Sequence, residues 1–301
     1  MPPDTSLRYG PREVAALLVL SGSWGLSFLF IEVALRGLTP LWIVAGRTAV
    51  GGVVLLVALR VTGHHLPRSW STWRHLLIIG SITNALPWSA VAWAQQSLPS
   101  GLTALLMALV PLSTLLVSAA IGAESLTRAR TGGLVLALIG VGLIVAGDLD
   151  EAGRLVAILA VVGATMMYAL GTVYARRHLS GRWPPLVLAT GQVLTATAVA
   201  VPVAVLASGP PETSATAPQV VVAVLALGIF GTGLAFLLFY LLIERVGATN
   251  ATLTTYLIPL VAVSAGAVVL GERLHPGAIA GGLTIGVGIW LTQRVVPGTL
   301  R

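Results

Sequence analysis

The chain has no cysteine and no lysine, and only 9% of its 301 residues are charged. Without cysteine there is neither a disulfide framework nor a thiolate metal site, and redox chemistry says nothing about compartment. No HExxH metal motif, no GxSxG nucleophile and no pair of aspartates within an apolar run is present, which argues against an intramembrane enzyme. No aspartate or histidine falls deep in an apolar run, so an obvious proton relay is missing and the sequence names no coupling ion. What fills the chain is apolar: 56% of it is hydrophobic, with a mean hydropathy of +0.94. One soluble core cannot hide that much apolar surface, so much of it must face lipid.

Crossing a bilayer core takes about 20 apolar residues. Ten runs qualify, at about 13–35, 40–59, 74–96, 101–121, 130–147, 153–175, 186–207, 218–241, 250–270 and 277–296. The expected fold class is an all-α membrane protein whose short loops leave no soluble domain. Arg8 and Arg12 ahead of the first run also suit a signal peptide, but that run is long and no small-residue cleavage site follows it. All seventeen basic residues are arginine, and the net charge is +7. With the N-terminus inside, thirteen of them, including Arg8, Arg128, Arg294 and Arg301, fall on the cytoplasmic side. Arg36, Arg154 and Arg273 fall outside, and Arg47 lies within a span. That asymmetry predicts cytoplasmic N- and C-termini, with Asp148, Asp150 and Glu151 outside. It accounts for the basic excess without nucleic acid as a partner.

The chain also repeats itself. Pro111, Glu124 and Leu126 recur as Pro259, Glu272 and Leu274, each 148 positions on, and the same frame carries Gly80, Gly133 and Gly140 onto Gly228, Gly281 and Gly288. Earlier in the halves the displacement is 144, taking Trp24 to Tyr168 and Pro40 to Pro184. Glycine matches between apolar helices arise cheaply by chance; a proline and a Glu-x-Leu in one frame do not. The expected units are residues 1–149 and 150–301, each with five spans. An odd number of spans sends the second unit into the membrane the other way up.

Pro111 and Pro259 fall near the middle of their runs. Proline lacks an N–H and clashes with the carbonyl four residues back, so the carbonyls of Met107 and Thr255 are left for a solute, a threonine or water. Ser81, Asn84, Trp88 and Gln95 share one face of the third run. Similar stripes run through Thr103, Met107, Pro111, Thr114 and Ser118 on the fourth, Thr232, Phe236 and Tyr240 on the eighth, and Thr252, Tyr256 and Pro259 on the ninth. Trp24, Ser27 and Phe28 on the first run and Thr165, Tyr168 and Thr172 on the sixth complete the set. Six such stripes read either as glue between helices or as a polar and aromatic chamber. On the second reading the solute-binding residues are Trp24, Ser27, Phe28, Asn84, Trp88, Met107, Pro111, Tyr168, Thr232, Phe236, Tyr256 and Pro259. Asn84 then matches Thr232 and Trp88 matches Phe236 on opposite walls.

Arg47 lies roughly 10 Å into the second run at about 1.5 Å per residue. Glu32, near the end of the first run, is expected to pair with it across the hairpin as a structural ion pair. Glycines four residues apart in the last run, Gly277 with Gly281 and Gly282 with Gly286, allow close packing. Their partner is either the fifth helix of the same chain or a second copy in a homodimer.

Trp24-Gly25, Arg47, Pro111 with Glu124-Ser125-Leu126, Gly133 with Gly140-Val141-Gly142, and Pro259 with Gly271-Glu272-Arg273-Leu274 resemble the EamA-type members of the drug/metabolite transporter superfamily. The resemblance extends over about residues 12–296. It implies ten helices in two inverted five-helix repeats, a central cavity lined by helices one, three, four, six, eight and nine, and no cofactor or metal. It also implies export of small metabolites by a secondary transporter of the bacterial inner membrane. Trp24, Trp88, Tyr168 and Tyr256 carry a finer likeness to amino-acid and aromatic amino-acid exporters. Drugs, purines or sugar derivatives are the alternative cargo, with a channel as the rival outside carriers. The first repeat reads Ala123-Glu124-Ser125 where the family often has Gly-Glu-Arg, so Glu124 and Glu272 need not act alike. Fixing helix ends is their expected task.

Overall fold

The computed structural model describes residues 10–146, 152–179, 181–246 and 254–293. Arg8, Asp148, Asp150, Glu151, Thr252, Arg294 and Arg301 lie outside them. Among the described residues every regular element is a helix and none is a strand. In chain order the long ones are α1 (Pro11–Ala34), α2 (Pro40–Val61), α3 (Trp70–Ala94), α4 (Ser100–Ala120), α5 (Arg128–Ala146) and α6 (Ala152–His178). They continue with α7 (Pro185–Ser208), α8 (Pro218–Ile243), α9 (Thr254–Leu270) and α10 (Pro276–Gln293). The first eight are long and apolar enough to cross a membrane; α9 is shorter, and α10 has 18 residues.

Proline and glycine punctuate these helices. α1, α2, α7, α8 and α10 each begin on a proline, whose missing N–H would have had no helical acceptor there. Gly122 and Gly271 adopt positive φ just past α4 and α9, the left-handed cap that only glycine takes without strain. After each cap the chain closes back in the same way: the Glu124 N–H reaches the Ser118 carbonyl at 3.2 Å, and the Glu272 N–H reaches the Gly266 carbonyl at 3.1 Å.

The outer surface is apolar. Leu138, Leu206, Val268 and Leu283 are among many large aliphatic side chains left open, as expected of a surface that meets acyl chains. Inside, α5 and α10 cross glycine on glycine. A methyl group on Gly133 would strike the Gly288 carbonyl, and one on Gly281 would strike that of Gly140. Gly277, Gly281 and Gly288 of α10 thus serve packing against the fifth helix of the same chain, while Gly282 meets Leu105 of α4 and Gly286 faces open space.

Candidate solute site

Two helices widen at related places. α3 holds a π-turn at Ser81–Ala85 and α8 one at Ile229–Leu234, beginning 148 positions apart. In α3 the cause is local. Pro87 has no N–H to give, and the Leu86 N–H bonds the Ser81 carbonyl five residues back. The wide turns carry Asn84 and Thr232, both without exposed surface.

Arg47 enters from α2 and is 5% exposed. One turn on, Gly51 sits so close to Thr232 that a methyl group would collide, which lets α8 lie directly on α2. The Arg47 guanidinium lies 3.9 Å from the centroid of the Trp88 ring. Its Nε–H donates to Thr232 Oγ1 and its Nη2–H to the Gly231 carbonyl, both at 3.4 Å. Trp88 Nε1 in turn donates to the Tyr168 hydroxyl of α6. The Ser27 hydroxyl of α1 packs against Gly231. Five helices therefore meet around one cation.

The expected Glu32–Arg47 pair is absent. Among the described residues Arg47 meets no carboxylate. Instead it lies on the electron-rich face of an indole, which offers a desolvated cation roughly 2 kcal/mol. Glu32 lies beside Gln95, whose amide donates to the Phe28 carbonyl, and within reach of the charges of Arg36 and Glu272. Its Oε2 and the Gln95 Oε1 are both buried without a partner. Depth along two adjacent helices matched Glu32 to Arg47, but the side chain of Arg47 turns across to α3 and α8.

Asn84 Oδ1 accepts from Thr83 Oγ1 at 2.9 Å and from Gln192 Nε2 of α7. Its Nδ2 donor is buried with no acceptor. Gln192 escaped the sequence reading, although a glutamine in mid-run is a visible signal. Phe236 joins Trp88 and Tyr168 in one apolar cluster with Val44 and Ala45. Asn84 and Thr232, equivalent in the repeat, bond to different neighbours. Phe28 and Met107 share an adjoining cluster, and Met107 with Tyr256 also packs on a third. Trp24 stands apart, tilted against Phe239 with centroids 5.4 Å apart.

The prolines also differ. The helix is interrupted between Met107 and Val110, leaving Pro111 in the first turn of a new stretch. Pro259 lies within the uninterrupted helix Thr254–Ala265.

Glu272 reaches back across the chain. Its two carboxylate oxygens accept from the backbone N–H groups of Ser100 at 2.8 Å and Gly101 at 3.0 Å, capping the start of α4. Glu124 instead forms a half-exposed pair with Arg130 at 3.3 Å. Glu272 does fix a helix end, though that of another helix, while Glu124 only pairs with an arginine in the first turn of α5.

Chemically the site is rich in donors. Two of the five N–H groups of Arg47 are engaged, and only by long bonds, while the free Nδ2 of Asn84 lies on α3 one turn before Trp88. No cluster able to hold a metal ion occurs among the described residues.

The sequence also matches known proteins over nearly its whole length. The EamA-like transporter family matches residues 12–146 and again 155–294. An uncharacterized inner membrane transporter of Escherichia coli K12, YedA, is 30% identical over 264 residues, covering 86% of this chain and 83% of that protein. A probable terminal-alkyne amino-acid exporter of Streptantibioticus cattleyicolor is 27% identical over 296 residues, 96% of each chain. One solved crystal structure superposes with a TM-score of 0.65 at 21% identity, covering 93% of this chain and 95% of that one, a likeness of fold alone. With its long apolar helices and this double match, the chain belongs to the EamA-like transporter family and is a multi-pass membrane transporter.

Proposed function

We propose that this transporter exports amino acids or closely related small carboxylates from the bacterial cytoplasm, and that Arg47 receives the solute's carboxylate. The observation that carries this reading is a buried guanidinium with no carboxylate partner among the described residues, laid on Trp88 with most of its donors uncommitted. A charge so placed is poorly compensated by the protein and well placed for an anion. The unpartnered Asn84 amide adds a second donor, while Trp88, Tyr168 and Phe236 offer an aromatic wall for the rest of the solute. The printed name of the Streptantibioticus relative agrees with amino-acid cargo.

On this reading two inverted five-helix repeats, residues 1–149 and 150–301, rock about the site with both termini cytoplasmic. Support comes from the two matched stretches, the 148-residue spacing of the π-turns and of Glu124 and Glu272, and the arginine asymmetry. Phe28, Met107, Tyr256 and Pro259 line the approach, with Ser27 and Pro111 beside it and Trp24 towards one mouth.

The test is counterflow in proteoliposomes loaded with single amino acids, set beside the corresponding decarboxylated amines, purine bases and cationic dyes. Saturable counterflow of amino acids alone is expected. Equal counterflow of the amines, or transport of dyes only, would remove the carboxylate from the argument and point to the drug-type cargo.

A further inference from the structure

A second polar constellation lies well away from Arg47, where α3 begins and α6 ends. A cavity of about 240 Å³ is lined by Arg74, His75, Leu77, Ile78 and Tyr174. Tyr174 organises it. Its hydroxyl lies 2.7 Å from His75 Nδ1, and its backbone carbonyl accepts from His178 Nδ1 at 3.0 Å. The His178 ring stacks on Tyr174 with centroids 4.2 Å apart and on His75 at 5.0 Å. Both imidazoles thus use Nδ1 within the cluster and keep Nε2 for something else. Arg74 and Arg182 bring their charges to the same group. Neither has an ion-pair partner among the described residues, and no carboxylate acts on His75.

The floor beneath is firm, with Leu76, Ile79 and Leu179 fully packed under Trp73 and Tyr174. The outward face is graded. Trp70, Arg74 and Ile78 follow at four-residue spacing on α3, with Leu77 beside them, and all four are open at the surface. An interfacial tryptophan, then a cation, then aliphatic side chains is the order in which a lipid presents its headgroup region and acyl chains. A soluble phosphate would use the cations and leave Leu77 and Ile78 idle.

We propose that this cavity is a binding site for an anionic phospholipid, its phosphate held by Arg74 and the Nε2–H of His75 and attracted by the charge of Arg182, with its acyl chains lying along Leu77 and Ile78. The inference needs the chain only to be a membrane protein, so it stands or falls apart from the solute reading. Basic pockets between helices at a membrane boundary suit such headgroups, each arginine contributing on the order of a fivefold gain in retention.

The test is native mass spectrometry of the full chain released from nanodiscs of phosphatidylglycerol or of phosphatidylcholine, with thermal melts of the same samples. A third arm adds inorganic phosphate to protein in detergent. Retention of phosphatidylglycerol over phosphatidylcholine is expected, together with a higher Tm. Arg74→Gln and Arg182→Gln should each lower retention about fivefold. Arg60→Gln, an exposed arginine at the end of α2 outside the cavity, should leave it unchanged. Equal retention of both lipids, or undiminished retention by the Arg74/Arg182 double variant, overturns the site. Inorganic phosphate raising Tm as far as phosphatidylglycerol does would overturn the lipid assignment.

Discussion

Replacing Glu272 with alanine removes both acceptors from the start of α4. The backbone N–H groups of Ser100 and Gly101 now meet carboxylate oxygens at 2.8 and 3.0 Å, and both residues are buried. A buried donor left without a partner costs about 1–3 kcal/mol, and loss of the negative charge at a helix N-terminus adds about 0.5 kcal/mol. Taking the lower part of that range for each donor puts Glu272→Ala at about 3 kcal/mol, or roughly 5 °C in Tm for a chain of this size. Gly266→Ala should act in the same direction, because its methyl group would strike Glu272 Oε2. Glu124→Ala removes only a half-exposed ion pair and should cost under about 1 kcal/mol. Intrinsic fluorescence melts in detergent, with eight tryptophans as reporters, would compare the three. A Glu272→Ala melt no lower than that of Glu124→Ala would refute the capping argument.

Other consequences follow at separate places. Glu32→Gln should not destabilise, since an amide there supplies the donor that Gln95 Oε1 lacks, and its effect should add to that of Arg47→Gln within about 0.5 kcal/mol in a melt-based double-mutant cycle. A larger coupling would restore the ion pair. Gly281→Leu should cost about 1–3 kcal/mol or more by forcing α5 and α10 apart, whereas Gly286→Ala, facing open space, should be neutral or slightly stabilising in the same melts. Single cysteines introduced into this cysteine-free chain at positions 128 and 181 should resist membrane-impermeant labelling in intact cells, and one at position 212 should react. External labelling at position 181 would reverse the proposed orientation.

Much of this architecture is written in the order of residues. Apolar runs located the helices to within a few positions because lipid solvation demands continuous apolar length, and Pro40 and Pro218 stand at the starts of two of them. Glu272 and Glu124 were recognisable as helix-end residues from their frame, but which helix Glu272 would cap was not, since its partners lie more than 170 positions away. Arg47 shows the same limit. Depth can be counted along a helix, but lateral neighbours cannot, and so the nearest carboxylate in sequence was chosen over an indole on the next helix. The π-turn in α3 had a visible cause in Pro87, yet the one in α8 arises in a glycine-bearing segment with no proline to mark it. The His75–Tyr174–His178 group was invisible for a related reason, because it forms only when the start of one helix meets the end of another.

The central claim is that the Arg47 guanidinium over Trp88 reads a carboxylate, and it is tested most directly by competition. Counterflow of a labelled amino acid would be inhibited by the unlabelled acid and, separately, by its decarboxylated amine, in wild type and in Arg47→Gln at matched reconstitution. A charge-assisted hydrogen bond of about 1.5–3 kcal/mol predicts that wild type prefers the acid by roughly 10- to 100-fold and that Arg47→Gln loses the preference while any residual transport remains. An Arg47→Gln protein that still transports and still prefers the acid to the same degree would contradict the account.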